Sequence, residues 1–296
     1  NQADDGGALY VFADNPSLNA PWFDLLLRSC LFEENVATAD GGGAVRLFGD
    51  HNSYTTRITD CEFRLNEAKL RGGALMIENA VTITYHSKFL DNSVLPDNPD
   101  DGFGGGVWVH QWHQTCGSGG GSGCTGNPVN FYNCLFANNT AKTFGGGAYL
   151  DIEISVSTQV VNCTFAHNET ALGGFTGGMY FNNVAFGDGQ ANVVNCIFWG
   201  NGDNCSAPGV CNQTQSAQLS VNDSPGLDVN YCAVQNLTGL GPPTYAGNIG
   251  GDPAFADPLG GLDTDPVNDF FLGCGSAAID AGSNGSIPSD QNDVDD

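Results

Sequence analysis

Positive charge is what this chain lacks most. Eight lysines and arginines stand against 33 aspartates and glutamates, a net charge of −25 although only 14% of residues are charged. Phosphate neutralisation needs a basic patch, so the deficit argues against nucleic acid or anionic lipid as a partner. It suits a protein of salty or calcium-rich surroundings. Long apolar runs are missing too: no stretch of 18 apolar residues occurs, so this segment inserts no helix into a membrane. A helical period of 3.6 residues is also absent throughout, which excludes a helical architecture. No leader is visible. The first residues, Asn1-x-Ala3 with Gly6-Gly7-Ala8, match the middle of a repeat, and the last, Ser289–Asp296, form an acidic run. The expectation is a piece of a longer or processed protein, with targeting signals outside it.

What is abundant is Gly, at 42 residues without a collagen period, together with Asn; both suit tight turns between short strands. The pattern that organises them is a repeat. Its first half, Cys-x-Phe-x-x-Asn, occurs at Cys30/Phe32/Asn35, Cys61/Phe63/Asn66, Cys134/Phe136/Asn139, Cys163/Phe165/Asn168 and Cys196/Phe198/Asn201. Ser87/Phe89/Asn92 is a further copy with Ser for Cys, and Cys232 sits in a degraded one. The second half is a Gly pair opening an apolar run, at Gly42-Gly43, Gly72-Gly73, Gly105-Gly106, Gly146-Gly147 and Gly177-Gly178. Successive Cys or Ser positions lie 31, 26, 47, 29, 33 and 36 residues apart.

Each unit reads as two or three short strands joined by Gly/Asn turns. Such a unit buries no face alone, and stacking buries a continuous one. The reading is an all-β, single-stranded parallel β-helix of about eight coils, roughly 40 Å long at strand spacing. It occupies residues 1–251, and residues 252–296 form a capping segment running into an acidic linker. Cys and Phe two apart share a face, and their apolar character makes it the inner one. The Asn after them suits a left-handed turn, with its amide bonding the coils above and below. Residues 91–104 and 110–128 are inserts, expected as loops on one side.

Gly-Gly-Ala paired with Phe-x-x-Asn resembles the repeats of polymorphic outer membrane proteins and related bacterial β-helix surface proteins. The tail, with GGDPAFADP, DFFLGCGSAAIDAGSN and IPSDQNDVDD, looks like the end of choice-of-anchor extracellular proteins. The resemblance covers nearly the whole chain. It implies a right-handed β-helix that is exported and attached to a cell surface or matrix, and it says little about activity.

Eleven cysteines divide by position. The repeat column is expected to hold free buried thiols, because in-register side chains sit about 4.8 Å apart, beyond ordinary disulfide reach. Cys116 with Cys124 and Cys205 with Cys211 span short loops and are expected to be disulfides, which fits an oxidising compartment. Cys274 is left over, with Cys232 as a potential partner.

His110-x-x-His113-x-x-Cys116 lacks a fourth metal ligand. The acidic loops are better candidates for calcium: Asp97, Asp100 and Asp101 in one, and Asp263, Asp265 and Asp269 in another. Arg57, Arg64, Lys69 and Arg71 crowd into one coil and could bind an acidic glycan, or simply balance surface charge. Trp108, Tyr149 and Tyr180 occupy matching positions after the Gly pairs. Facing outward they would make a sugar-stacking or interface ladder; facing inward they would be core. Eight Asn-x-Ser/Thr sequons occur, among them Asn138 and Asn162.

Parallel β-helices often carry polysaccharide lyases and hydrolases, which need a base beside calcium or an Asp cluster. The Gly-His-Gly and Arg-Ile-Lys motifs of the hydrolases are missing. The sequence therefore reads as a non-enzymatic exported protein with a structural or adhesive role. A head-to-tail join of its coils with another copy into a homopolymeric filament is a further expectation, since an open strand edge invites pairing. The alternative is an enzyme or binding module for an acidic polysaccharide.

Overall fold

The computed structural model describes residues 1–13, 23–49, 54–94, 96, 101–112, 127–152, 156–182, 190–222, 226–238, 246–256, 270–279 and 281–283. The protein is all-β, and its strands fall into four sheets that the chain visits in rotation, parallel except for one antiparallel pair, Gly202–Ala207 with Val210–Asn212, at the end of the first. Sheet I starts with Gln2–Ala3, sheet II with Leu9–Ala13, sheet III with Phe23–Arg28 and sheet IV with Leu31–Glu33. The chain then returns to sheet I at Val36–Ala37 and repeats the circuit, each strand pairing with the one from the previous circuit. Sheets II, III and IV each hold seven strands. Four coaxially ordered sheets of this kind are compatible with a solenoid.

Two or three strands per unit were expected, and there are four. The extra sheet is sheet I, whose strands Val36–Ala37, Glu67–Ala68, Ser93–Val94 and Thr140–Ala141 have two residues each. Two residues are too few to display an alternation, so period analysis passes over them.

Alternation elsewhere sends one set of side chains inside. The core gathers Leu75, Ile77, Val107 and Val109 from sheet II, Ile58, Phe131 and Val160 from sheet III, and the repeat Phe residues from sheet IV. The Phe column is continuous: Phe32, Phe63, Phe89, Phe136, Phe165 and Phe198 stack with centroids 4.8, 4.9, 4.9, 4.4 and 4.8 Å apart. These separations exceed the contact distance of two ring planes, about 3.5–4.0 Å, so the rings are offset as their quadrupoles prefer. The Cys column lies beside it, half-buried at Cys30 and buried from Cys61 onward, and Cys30, Cys61, Cys134, Cys163, Cys196 and Cys232 are all free thiols. Each thiol from Cys61 onward donates to the carbonyl two residues back, for example Cys196 to Val194 at 3.2 Å. Ser87 takes the same place and bond, donating to Tyr85 at 2.8 Å.

The repeat asparagines form a third column whose amides bond neighbouring circuits as expected, but the structure corrects their place in the turn. The left-handed residues are the ones just before them, Glu34, Leu65, Asp91, Asn138 and His167, while the column Asn residues have no positive φ. Asn66, Asn92, Asn139, Asn168 and Asn201 are instead fully buried. Each points inward and bonds its neighbour in the next circuit. Asn92 Nδ2 donates to Asn139 Oδ1 at 2.9 Å and to the Phe63 carbonyl at 2.9 Å, and the Asn92 backbone N–H donates to the same Oδ1 at 3.1 Å. Gln218 ends the column. Its Oε1 accepts from Asn201 Nδ2 at 2.9 Å, and its Nε2 donates to the Asn201 carbonyl at 2.8 Å.

The Gly pair is required by close approach. A Cβ on Gly73 would land on the backbone oxygen of Gly105, and one on Gly43 on that of Gly73. The described part of the tail packs along the flank: Phe255 and Phe270 cover Leu90, Ala137 and Ala166 on the outer side of sheet IV. Among the described residues no helix is long and apolar enough to cross a membrane.

Candidate functional site

The outer face of sheet II carries the most developed surface feature. Leu75 and Ile77 point into the core, so Met76 and Glu78 point out. Register then builds two outward columns. The first runs Tyr10, Arg46, Met76, Trp108, Tyr149, Tyr180, and the second Phe48, Glu78, His110, Asp151, Asn182, Asn222. A flanking column of bridge residues, Gly41, Arg71, Phe103, Phe144 and Phe175, precedes the strands.

These columns bring Trp108, Tyr149 and Tyr180 together, as their matching sequence positions imply. Their direction is outward, away from the main core, yet they are not freely exposed. With Met76 they form a second apolar cluster under Phe103 and Phe144. Trp108 is 4% and Tyr149 9% exposed. Tyr149 stacks on Tyr180 at 5.4 Å, and Phe103 leans on Tyr149 at 5.2 Å.

Beside this cluster lies an open groove of about 610 Å³ lined by Arg71, Glu78, Phe103, Trp108, His110, Trp112, Tyr149 and Asp151. Arg71 stacks its guanidinium 5.2 Å over the Trp108 ring and holds Asp40 at 3.2 Å. Arg46 grips Glu78 at 2.7 and 2.8 Å, Asp5 at 2.9 Å and Asp40 at 3.3 Å. Burial pushes the Glu78 carboxyl above the usual carboxylate range, against the pull of Arg46. The Tyr149 hydroxyl is pushed far up, by burial first and the nearby Asp151 second. His110 lies 3.7 Å from Asp151, whose other oxygen accepts from Asn182 Nδ2 at 2.8 Å. Trp112 packs against His110 at 4.8 Å, with its backbone N–H held by Asn79 Oδ1 at 2.9 Å.

Glu78, Asp151, Phe103 and Trp112 were not singled out by sequence. One signal was available: the residue two after three aromatics of the first column is polar, in Trp108-x-His110, Tyr149-x-Asp151 and Tyr180-x-Asn182, although not after Tyr10. His110, read there only against a metal motif, faces Asp151; His113 and Cys116 lie outside the described residues.

The other site residues fare as follows. Cys205 and Cys211 are disulfide-bonded. Cys116 and Cys124 lie outside the described residues, as do Asp97, Asp100, Asp263, Asp265 and Asp269. Asp101 is described, and its carbonyl accepts from the Thr143 hydroxyl. Cys232 and Cys274 are not paired: both are free, Cys232 buried in its column and Cys274 exposed. Among the described residues the one group of three potential metal ligands is Glu169 with Cys205 and Cys211. Those sulfurs are spent on each other, and Glu169 accepts from Gly209 N–H at 2.8 Å.

The basic coil does not form a cluster. Arg57 lies on sheet III, Arg64 on sheet IV, and Arg71 before sheet II, so they face different sides. Each is matched by a carboxylate: Arg57 by Asp24 at 3.7 Å, Arg64 by Glu33 at 2.7 Å, and Arg71 by Asp40.

No protein-family model, curated protein sequence or solved structure matches this chain.

Proposed function

We propose that the protein is an exported, right-handed parallel β-helix of the cell surface or extracellular matrix, with a structural and adhesive rather than catalytic role. Its contact is a glycan seated in the sheet II groove. The observation that carries this reading is the groove's lining, where the half-buried rings of Phe103 and Trp112, backed by the buried Trp108 and Tyr149, stand beside Arg71, Glu78, His110 and Asp151. Flat aromatic faces next to oriented polar groups are what a pyranose ring requires, stacking its C–H face while its hydroxyls bond. In-register packing supports rigidity, because Leu75, Ile77, Val107 and Val109 on the inner face of sheet II share one core with the Phe column of sheet IV. The disulfide Cys205–Cys211 and the surface-protein resemblance of the repeats support export. Binding without turnover is favoured because Arg46 engages the Glu78 carboxylate from two nitrogens, which ties up a would-be acid next to Asp151.

A glycan array with the wild-type protein and Trp112→Ala tests it. Retention of a saccharide family by the wild type, weakened at least tenfold in Trp112→Ala, is expected. Absence of any retained saccharide, or retention indifferent to Trp112, rejects the groove as an adhesive site.

A further inference from the structure

We infer that Asn79, which does not itself line the groove, is the positioning residue that sets the Trp112 ring in it. The inference rests on the glycan reading for its binding consequence, while the placement of the ring is read without any ligand.

Trp112 is the first residue past the strand Val107–Gln111. Its half-buried ring meets His110 at 4.8 Å and Phe48 at 6.0 Å, both at tilted angles. Neither pair is stacked, so these neighbours do not lock the plane of the indole. The backbone does more. The Trp112 N–H donates to Asn79 Oδ1 at 2.9 Å, and the Asn79 carbonyl accepts from Asn127 Nδ2. One residue of the preceding circuit thus bonds both residues that bracket 113–126.

Conformation and burial suit Asn79 to this place. It follows the strand Leu75–Glu78 in the left-handed region at φ 47°, which Asn tolerates better than most residues. It is 5% exposed, so its bond to Trp112 is shielded from competing water. Its own N–H donates to the His110 carbonyl at 3.0 Å, which ties it to the strand that Trp112 leaves. The side chain has a single use: Oδ1 takes the Trp112 N–H, and Nδ2 bonds nothing. The two ends of the amide are therefore separable by substitution. A side chain that keeps the oxygen should keep Trp112 in place, and one that loses it should not.

The experiment labels the full chain with 5-fluorotryptophan and follows its four tryptophans by fluorine NMR, with Trp112 assigned by its loss in Trp112→Phe. Asn79→Asp keeps the acceptor, so the Trp112 resonance is expected at its wild-type shift even though a buried carboxylate lowers stability. Asn79→Ala removes the acceptor. The Trp112 resonance should then move towards its shift in the unfolded chain, the other three should stay, and saccharide retention should fall about tenfold. Asn79→Gly controls for folding, since it removes the same acceptor while easing the φ of 47°. Movement of Trp112 alone in Asn79→Gly supports the inference. A Trp112 resonance unmoved in both Asn79→Ala and Asn79→Gly overturns it. So does one that moves as far in Asn79→Asp as in Asn79→Ala, or movement of all four in Asn79→Gly. Retention of no saccharide by the wild type overturns the glycan reading and leaves the placement of Trp112 to be decided by the resonances.

Discussion

Replacing Asn139 by Ala deletes the acceptor for the backbone N–H and Nδ2 of Asn92, at 3.1 and 2.9 Å, and the donor to the Phe89 carbonyl at 2.8 Å. With Asn168 Oδ1, which loses the Asn139 Nδ2 donor at 2.9 Å, four buried polar groups lose a partner, at roughly 1–3 kcal/mol for each one left unsatisfied. Asn139→Ala is therefore expected to lower the unfolding free energy by about 3 kcal/mol or more in a urea titration, far beyond what its lost apolar area explains. Leu65 makes the opposite case. It is half exposed in the left-handed region at φ 55°, where a Cβ costs about 1–2 kcal/mol. Leu65→Gly should stabilise by about 1 kcal/mol and raise the urea midpoint. The buried thiols give a pH signature. Burial pushes Cys61 up to about 11, above the ordinary thiol value of 9.0, so the folded state holds its proton more tightly than the unfolded chain. Its contribution is complete below about pH 9 and is lost as pH climbs from there to about 11. Stability measured across that window should fall for wild type and fall less for Cys61→Ser, which keeps the bond that Ser87 already shows in the column.

At the scale of the element, the repeat was legible wherever a position has a distinctive chemistry and a fixed spacing. Cys61 and Phe63, two apart and both apolar, face inward as alternation demands. The direction of Trp108 was not legible, because its strand is apolar on both faces: Val107 and Val109 meet the core while Trp108 meets Phe103, and burial on both sides erases the period. The Asn misassignment has a different origin. Propensity places Asn in left-handed turns, but here the turn accepts Glu34, Leu65 and His167; the amide bonding between circuits, by contrast, is as the repeat implied. Glu78 and Asp151 became neighbours of His110 through pairing of distant circuits, which no local motif encodes. Gly73 tests how strictly the element is built. Its Cβ position is occupied by the Gly105 backbone oxygen, and a backbone atom of a paired strand cannot step aside. Gly73→Ala should cost more than 3 kcal/mol or abolish the far-ultraviolet strand signal, whereas Gly209→Ala, with open space around it, should keep that signal and lose only the cost of its φ of 73°.

The molecule as a whole carries a charge of −25, so folding compresses like charges that the few ion pairs do not balance. Raising sodium chloride from about 20 to 500 mM should lift the melting temperature by several degrees, since screening of the overall repulsion outweighs the loss of exposed pairs worth under about 1 kcal/mol each. A fall in melting temperature would mean instead that the Arg46 network dominates.

The asparagine column also has a direction. In every link the amide nitrogen faces the following circuit and the amide oxygen the preceding one, from Asn35 through Asn201 to Gln218. Side-chain dipoles that all point the same way reinforce one another along a low-dielectric axis. The interior thus carries one row of amide carbonyls that all turn towards the preceding circuit, buried along the described stack from Asn66 to Gln218.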